Sequence, residues 1–141
     1  MSLLWTLHLA STWMMTGIIW FVQVVHYPLF GRVGQAEFVA YEAQHTWRTG
    51  LVVAPLMLME LGSGLLLLWR EGGSWLWVNI ALLAGIWLST ALIQVPLHGQ
   101  LHQGWEASRV RRLVGSNWIR TVAWTLRALL LAGWVWEEGL I

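Results

Sequence analysis

Cysteine is absent from this chain, every basic residue is an arginine, and only 11% of the 141 residues are charged. Without cysteine there are no disulfides, no thiol redox chemistry, no zinc knuckles and no iron–sulfur clusters. The scarcity of charge excludes more. With 57% hydrophobic residues, a domain this small has too much surface per volume to hide its apolar side chains from water. Lipid is therefore expected as the solvent for part of it. A net charge of +1 gives no reason to expect a nucleic-acid partner.

What is present is long apolar sequence. Four stretches are expected to span a bilayer as helices, at about 3–27, 46–69, 75–97 and 118–136. The first is too long for a signal-peptide core and has no small-x-small cleavage site after it, so it is read as a span. Turn signals separate the four: Pro28, Gly31 and Gly34; Arg70-Glu71-Gly72-Gly73-Ser74; Pro96, Gly99 and Gly104. Residues 35–44 read as an amphipathic lead-in. The fold class is all-α, a single four-helix membrane bundle over residues 1–141.

Orientation follows from arginine. Arg32, Arg48, Arg109, Arg111, Arg112 and Arg120 fall on the side of the two long connections, and Arg70 with the Glu137-Glu138 tail falls on the other. The positive-inside rule then places both termini outside the cytoplasm, in a bacterial inner membrane. Trp5, Trp69, Trp75, Trp77, Trp134 and Trp136 are expected in the outer aromatic belt, and Trp47, Trp105 and Trp118 in the inner one. Trp13, Trp20, Trp87 and Trp124 fall deep. Trp20…Pro28-Leu29…Trp47-Arg48-Thr49 parallels Trp87…Pro96-Leu97…Trp118-Ile119-Arg120-Thr121. That suggests two repeated helical hairpins about a pseudo-twofold along the membrane normal.

At about 100° per residue, polar residues collect on one face of each helix: His8, Thr12, Thr16, Gln23 and His26; His45, Thr49, Glu60 and Ser63; Asn79, Thr90, Gln94 and His98; Arg120, Trp124 and Arg127. Polar groups facing lipid cost several kcal/mol, so the faces should meet inside. Glu60 and Arg127, both at mid-depth, are the expected ion pair.

The rest gathers at the arginine-rich end, around Glu42-Ala-Gln-His-Thr-Trp-Arg48, and supports three uses. Glu42-x-x-His45 and His98-x-x-x-His102 have spacings that helical metal sites employ, making Glu42, His45, His98 and His102 candidate ligands of a non-haem metal. Haem b is the second: His26 with His45 or His98 as axial ligands, and Arg48 and Arg120 on the propionates. The third needs no cofactor, with Arg48 and Arg120 flanking a cavity for an anionic headgroup, quinone or phenolate. His8 lies at the opposite end and is not expected to join.

His45-Thr-Trp-Arg48 before an apolar run with Pro55, Val95-Pro-Leu97 ending the third helix, and Asn117-Trp-Ile-Arg120 resemble a small four-span family that includes fungal anthrone oxygenases. The likeness runs from about His8 to Arg127. The family pattern has an Asn after the second proline where this chain has Leu97-His98. The resemblance implies a four-helix membrane bundle and, in a few relatives, oxygenation of a polycyclic aromatic substrate. It singles out His45, Arg48, Asn117 and Arg120. A looser similarity, in size and a histidine-bearing first helix, is to HemJ-type protoporphyrinogen oxidases, which bind haem.

Two functions follow. One is an oxidoreductase on a lipophilic aromatic small molecule that enters from the bilayer, with His45 as base or metal ligand. The other is a non-catalytic accessory or cofactor-holding subunit of a homo-oligomer or larger membrane complex. A solo carrier is disfavoured, since the chain has no inverted repeat.

Overall fold

The structure, a computed structural model, describes residues 2–138. All regular elements among them are helical. Four long helices follow one another: α1 Leu3–Arg32, α2 Gln35–Glu71 and α3 Ser74–Leu101, then α4 Ala107–Glu137. The first three are long and apolar enough to cross a membrane. The fourth is not among them; it carries Arg109, Arg111, Arg112, Arg120 and Arg127.

The helices run further than turn signals suggest. The amphipathic lead-in is continuous with α2, which starts at Gln35 rather than near Thr46. Helix α4 starts at Ala107 rather than near Trp118. Neither Pro28 nor Pro96 ends its helix. A proline ring collides with the carbonyl four residues back and offers no N–H. Here each proline lies just beyond a π-helical turn, Val22–His26 in α1 and Thr90–Gln94 in α3. Tyr27 N–H reaches Val22 O, and Val95 N–H reaches Thr90 O. The wider turn relieves the collision and lets the helix continue. Gly99 likewise leaves the last turn of α3 intact, with His98 inside it and His102 at its cap.

Between α2 and α3 the chain reverses through Gly72 and Gly73, at φ 64° and 100°. Glycine alone adopts that region without a Cβ penalty. Helix α1 packs on α2 and α4, and α3 packs on α4 and α2, so neighbours in the chain are neighbours in space.

The interior is layered. A large apolar cluster includes Met15, Ile19, Phe30, Phe38, Met57, Ile86, Leu113 and Trp124. A smaller one at the far end joins Trp5, Leu67, Leu76 and Leu131. There Trp5 stacks on Trp134 with centroids 3.8 Å apart and on Trp75 at 5.6 Å, and its indole N–H donates to Glu71 at 2.9 Å. Trp5 is thus buried rather than a free belt residue.

Between the clusters lies a polar layer. Arg127 Nη1 donates to Glu60 Oε1 at 2.6 Å, with both side chains fully buried. Trp124 Nε1 donates to the same carboxylate at 3.0 and 3.2 Å, and Arg127 Nε donates to Asn79 Oδ1 at 3.0 Å. His8 bonds Ser63 at 2.9 Å, against Gly64. A Cβ on Gly64 would come within 2.7 Å of Ile80 Cδ1 and 2.9 Å of His8 Cε1, so this glycine permits the close approach of α1, α2 and α3.

The outside is apolar. Leu3, Met14, Phe21, Leu51, Leu58, Trp69, Trp77, Leu92 and Trp136 all stand exposed, hydrophobic surface of the kind that lipid or a protein partner covers. Trp13 and Trp20 are also exposed, and Trp20 donates to Thr125 at 3.0 Å.

Candidate functional site

The polar end of the interior is built from the π turns outward. The turn in α1 delivers Gln23, His26 and Tyr27 to successive positions around the helix, and the turn in α3 does so for Thr90 and Gln94. Helix α2 supplies Glu42, His45 and Thr49 from one face, and α4 supplies Asn117, Arg120 and Thr121. Glu42, Asn117 and Thr121 are fully buried, and Tyr27, Gln23, Gln94 and Arg120 nearly so.

Two hydrogen-bond chains organise these groups. In the first, Arg120 Nη2 donates to the Tyr27 hydroxyl at 3.4 Å. The Tyr27 O–H donates to His98 Nε2 at 3.0 Å, and His98 Nδ1–H donates to Glu42 Oε1 in a short contact. Each group in this order has the proton its neighbour accepts. The second Glu42 oxygen is buried and has no partner among the described residues. In the other chain, His26 Nε2 meets His45 Nδ1 at 2.7 Å, and Thr49 Oγ1 lies 3.1 Å from the same nitrogen.

Arg120 is held from below. Its Nε donates to Asn117 Oδ1 at 3.0 Å, and Nη2 reaches the same oxygen. Asn117 Nδ2 donates to Gln23 Oε1 at 2.9 Å, and Gln23 Nε2 donates to the Val114 carbonyl at 3.2 Å. Among the described residues no carboxylate lies within ion-pair distance of Arg120. A buried guanidinium without a counter-charge is costly. It also lines a cavity of about 360 Å³, together with Tyr27, His45, Thr49, Thr90 and His98. Gly50, Val53, Val95 and Gly99 form the less polar part of that wall.

The expected site residues do not all meet there. His45, His98 and Arg120 do, while Asn117 is buried outside the cavity lining and bonds Arg120. Arg48 does not share the cavity of Arg120. It is exposed, and with His26, Tyr41 and Gln44 it lines a separate groove on the other side of His45. Position 48 is one residue short of the full turn that places Thr49 beneath His45. His102 is exposed, bonds Thr46 at 3.1 Å and stands 4.0 Å from Glu42.

The metal and haem expectations find no support. Among the described residues no group of three or more His, Asp or Glu side chains is arranged to hold a metal ion. Glu42 is committed to His98, while His45 turns to His26. For haem, two axial imidazoles must leave the iron and its macrocycle between them. The His26 and His45 rings, 4.4 Å apart at their centroids, bond each other directly and leave no such slot. His98, the other expected partner of His26, has both ring nitrogens engaged, Nε2 by the Tyr27 hydroxyl and Nδ1 by Glu42.

Tyr27 was not among the expected site residues, although it joins Arg120 to His98. Its only sequence signal is its place between His26 and Pro28. Ser89, Gln94 and Ser116 form a further bonded string, and Arg120 Nη1 donates to Thr90 at 3.5 Å.

What the fold defines is an all-helical protein with apolar flanks, a buried polar interior and three helices able to cross a membrane. Comparison with protein-family models, curated proteins and solved structures finds no match to this chain.

Proposed function

We propose that this chain is an integral membrane four-helix bundle of the bacterial inner membrane, with both termini outside, and that its Arg120 cavity binds a lipophilic aromatic molecule through an acidic oxygen. The observation that carries the binding reading is Arg120: a buried, rigidly held guanidinium with no counter-anion, facing a cavity with an apolar rim. A phenolate, enolate or quinol oxygen supplies the missing charge. Exposed apolar side chains and arginine-rich connections support the membrane placement. Matching π turns before Pro28 and Pro96, with His45…Arg48-Thr49 against Asn117…Arg120-Thr121, support a two-hairpin repeat.

His45 is the base in this reading. In the tautomer whose Nδ1–H donates to His26, its Nε2 carries the lone pair of a base, and His45 lines the Arg120 cavity. A proton removed from the ligand is then shared between two imidazoles. The Tyr27–His98–Glu42 chain holds a second proton path that ends on a buried carboxylate. The resemblance to the family with anthrone oxygenases extends this to turnover with dioxygen as oxidant. A ring CH2 beside the anchored oxygen loses a proton to His45, becomes C=O, and the second oxygen atom leaves as water. The alternative, a non-catalytic subunit, draws on Trp13 and Trp20, which stand exposed at mid-helix and would suit a protein neighbour.

The test is equilibrium binding of 2-naphthol and of 2-methoxynaphthalene, its methyl ether, to protein in detergent micelles. The naphthol should bind and the ether should not compete. Arg120→Gln should weaken naphthol by about tenfold or more, the worth of a charged hydrogen bond. Equal binding of naphthol and ether would remove the proposal.

A further inference from the structure

Away from the Arg120 cavity, a groove of about 460 Å³ lies between the end of α1 and the start of α4. One wall is apolar, made by Pro28, Val110 and Val114. Arg111 and Trp105 also line the groove, and each carries a polar group left unmatched among the described residues. Arg111 is exposed and, among the described residues, has no carboxylate within ion-pair distance. The nearby acid, Glu106, is taken by Arg109 at 2.7 Å. The indole N–H of Trp105 is buried and has no acceptor among the described residues. A buried donor left unpaired costs free energy until something supplies an oxygen. Gly31 and Gly115 line the same groove, and no atom lies within 4 Å of where their Cβ would stand, so the space stays open.

We propose that this groove is a binding site for an anionic phospholipid, with its phosphate on Arg111 and the Trp105 N–H, and its glycerol and upper acyl chain along Val110 and Val114. The chemistry is complementary at each point. A phosphate presents several anionic acceptor oxygens, which fit a guanidinium fork and leave one for the indole. The apolar wall matches hydrocarbon that begins just below the headgroup. The groove also lies at the arginine-rich end, which the positive-inside rule assigns to the leaflet facing the cytoplasm, and basic pockets between helices there take anionic headgroups. Zwitterionic lipid is disfavoured because its ammonium would meet Arg111. The proposal rests on the membrane placement above but not on a ligand at Arg120.

Native mass spectrometry of protein released from neutral detergent micelles, with dioleoyl phosphatidylglycerol or dioleoyl phosphatidylcholine added, tests it. Phosphatidylglycerol should be retained in preference. Arg111→Gln should lower its occupancy about fivefold, and Trp105→Phe should lower it while keeping the ring. Arg112→Gln, an exposed arginine outside the groove, should leave it unchanged, as should Arg120→Gln. Equal retention of the two lipids overturns the site. So does a loss from Arg112→Gln as large as that from Arg111→Gln, since it would mean diffuse attraction. Full competition by glycerol 3-phosphate would assign the groove to soluble phosphates and overturn the lipid assignment. Release of the chain from membranes by alkaline carbonate would instead refute the membrane placement itself.

Discussion

Removing both halves of the Glu60–Arg127 pair should cost about as much as removing one, and far less than the two single losses added together. Both side chains are fully buried, and the 2.6 Å contact is their only charge compensation. In Arg127→Met, Glu60 keeps a charge with only the Trp124 N–H for support, and Asn79 Oδ1 loses its donor. In Glu60→Leu, the guanidinium keeps only Asn79. Leaving such a buried charge uncompensated costs about 3–5 kcal/mol in each case. The double variant carries no charge at this mid-depth position. Its losses are the unpaired Trp124 N–H and Asn79 oxygen, about 1–3 kcal/mol each. The singles together therefore cost roughly 6–10 kcal/mol and the double roughly 2–6, an interaction of about 4 kcal/mol.

Thermal unfolding in mild detergent, followed by near-UV circular dichroism from the thirteen tryptophans, reads the difference. Should a single variant fail to fold, Glu60→Gln retains an acceptor for Trp124 and gives a milder single. Additive losses, with the double as bad as the sum, would refute the reasoning and mean the two charges act separately.

Three further outcomes are expected. Gly64→Ala should destabilise by about 1–3 kcal/mol on the same assay, because its Cβ meets both His8 and Ile80 below 3.0 Å. Tyr27→Phe, which removes the hydroxyl between Arg120 and His98, should cost about 1–2 kcal/mol of stability. It should reduce 2-naphthol affinity less than Arg120→Gln does. Haemin titrated into the purified protein should give no bis-histidine Soret shift, since the candidate rings bond each other. A shift abolished by His45→Ala would reverse that conclusion.

Much of this interior is legible in the residue pattern. His8, Thr12, Thr16 and Gln23 recur with an α-helical period, and all four are buried. Glu60 and Arg127 are the charges placed at mid-depth on α2 and α4, and they pair. What escapes the pattern does so for a geometric reason. Periodicity assumes about 100° per residue throughout, and each π turn inserts extra backbone that rotates everything after it. That rotation brings Tyr27, an otherwise unremarked aromatic, under Arg120, and it leaves His26 bonded to His45 rather than set for a cofactor. The prolines mark the turns but read locally as helix ends, so α1 and α3 look shorter than they are. Arg48 illustrates the converse. Its motif resembles that of Arg120, yet the α-helical phase already sets it off the His45–Thr49 line, and it faces outward. The groove at Trp105 and Arg111 has no sequence period at all, because it joins a link residue to two separate helices.

The most direct measurement is the absorption spectrum of 2-naphthol bound to the wild-type protein at neutral pH. If Arg120 awaits an anion, the bound molecule should show the red-shifted naphtholate band, and Arg120→Gln should return it to the neutral naphthol band. A spectrum that stays neutral in wild type and variant alike would contradict the claim that this guanidinium exists to hold an acidic oxygen.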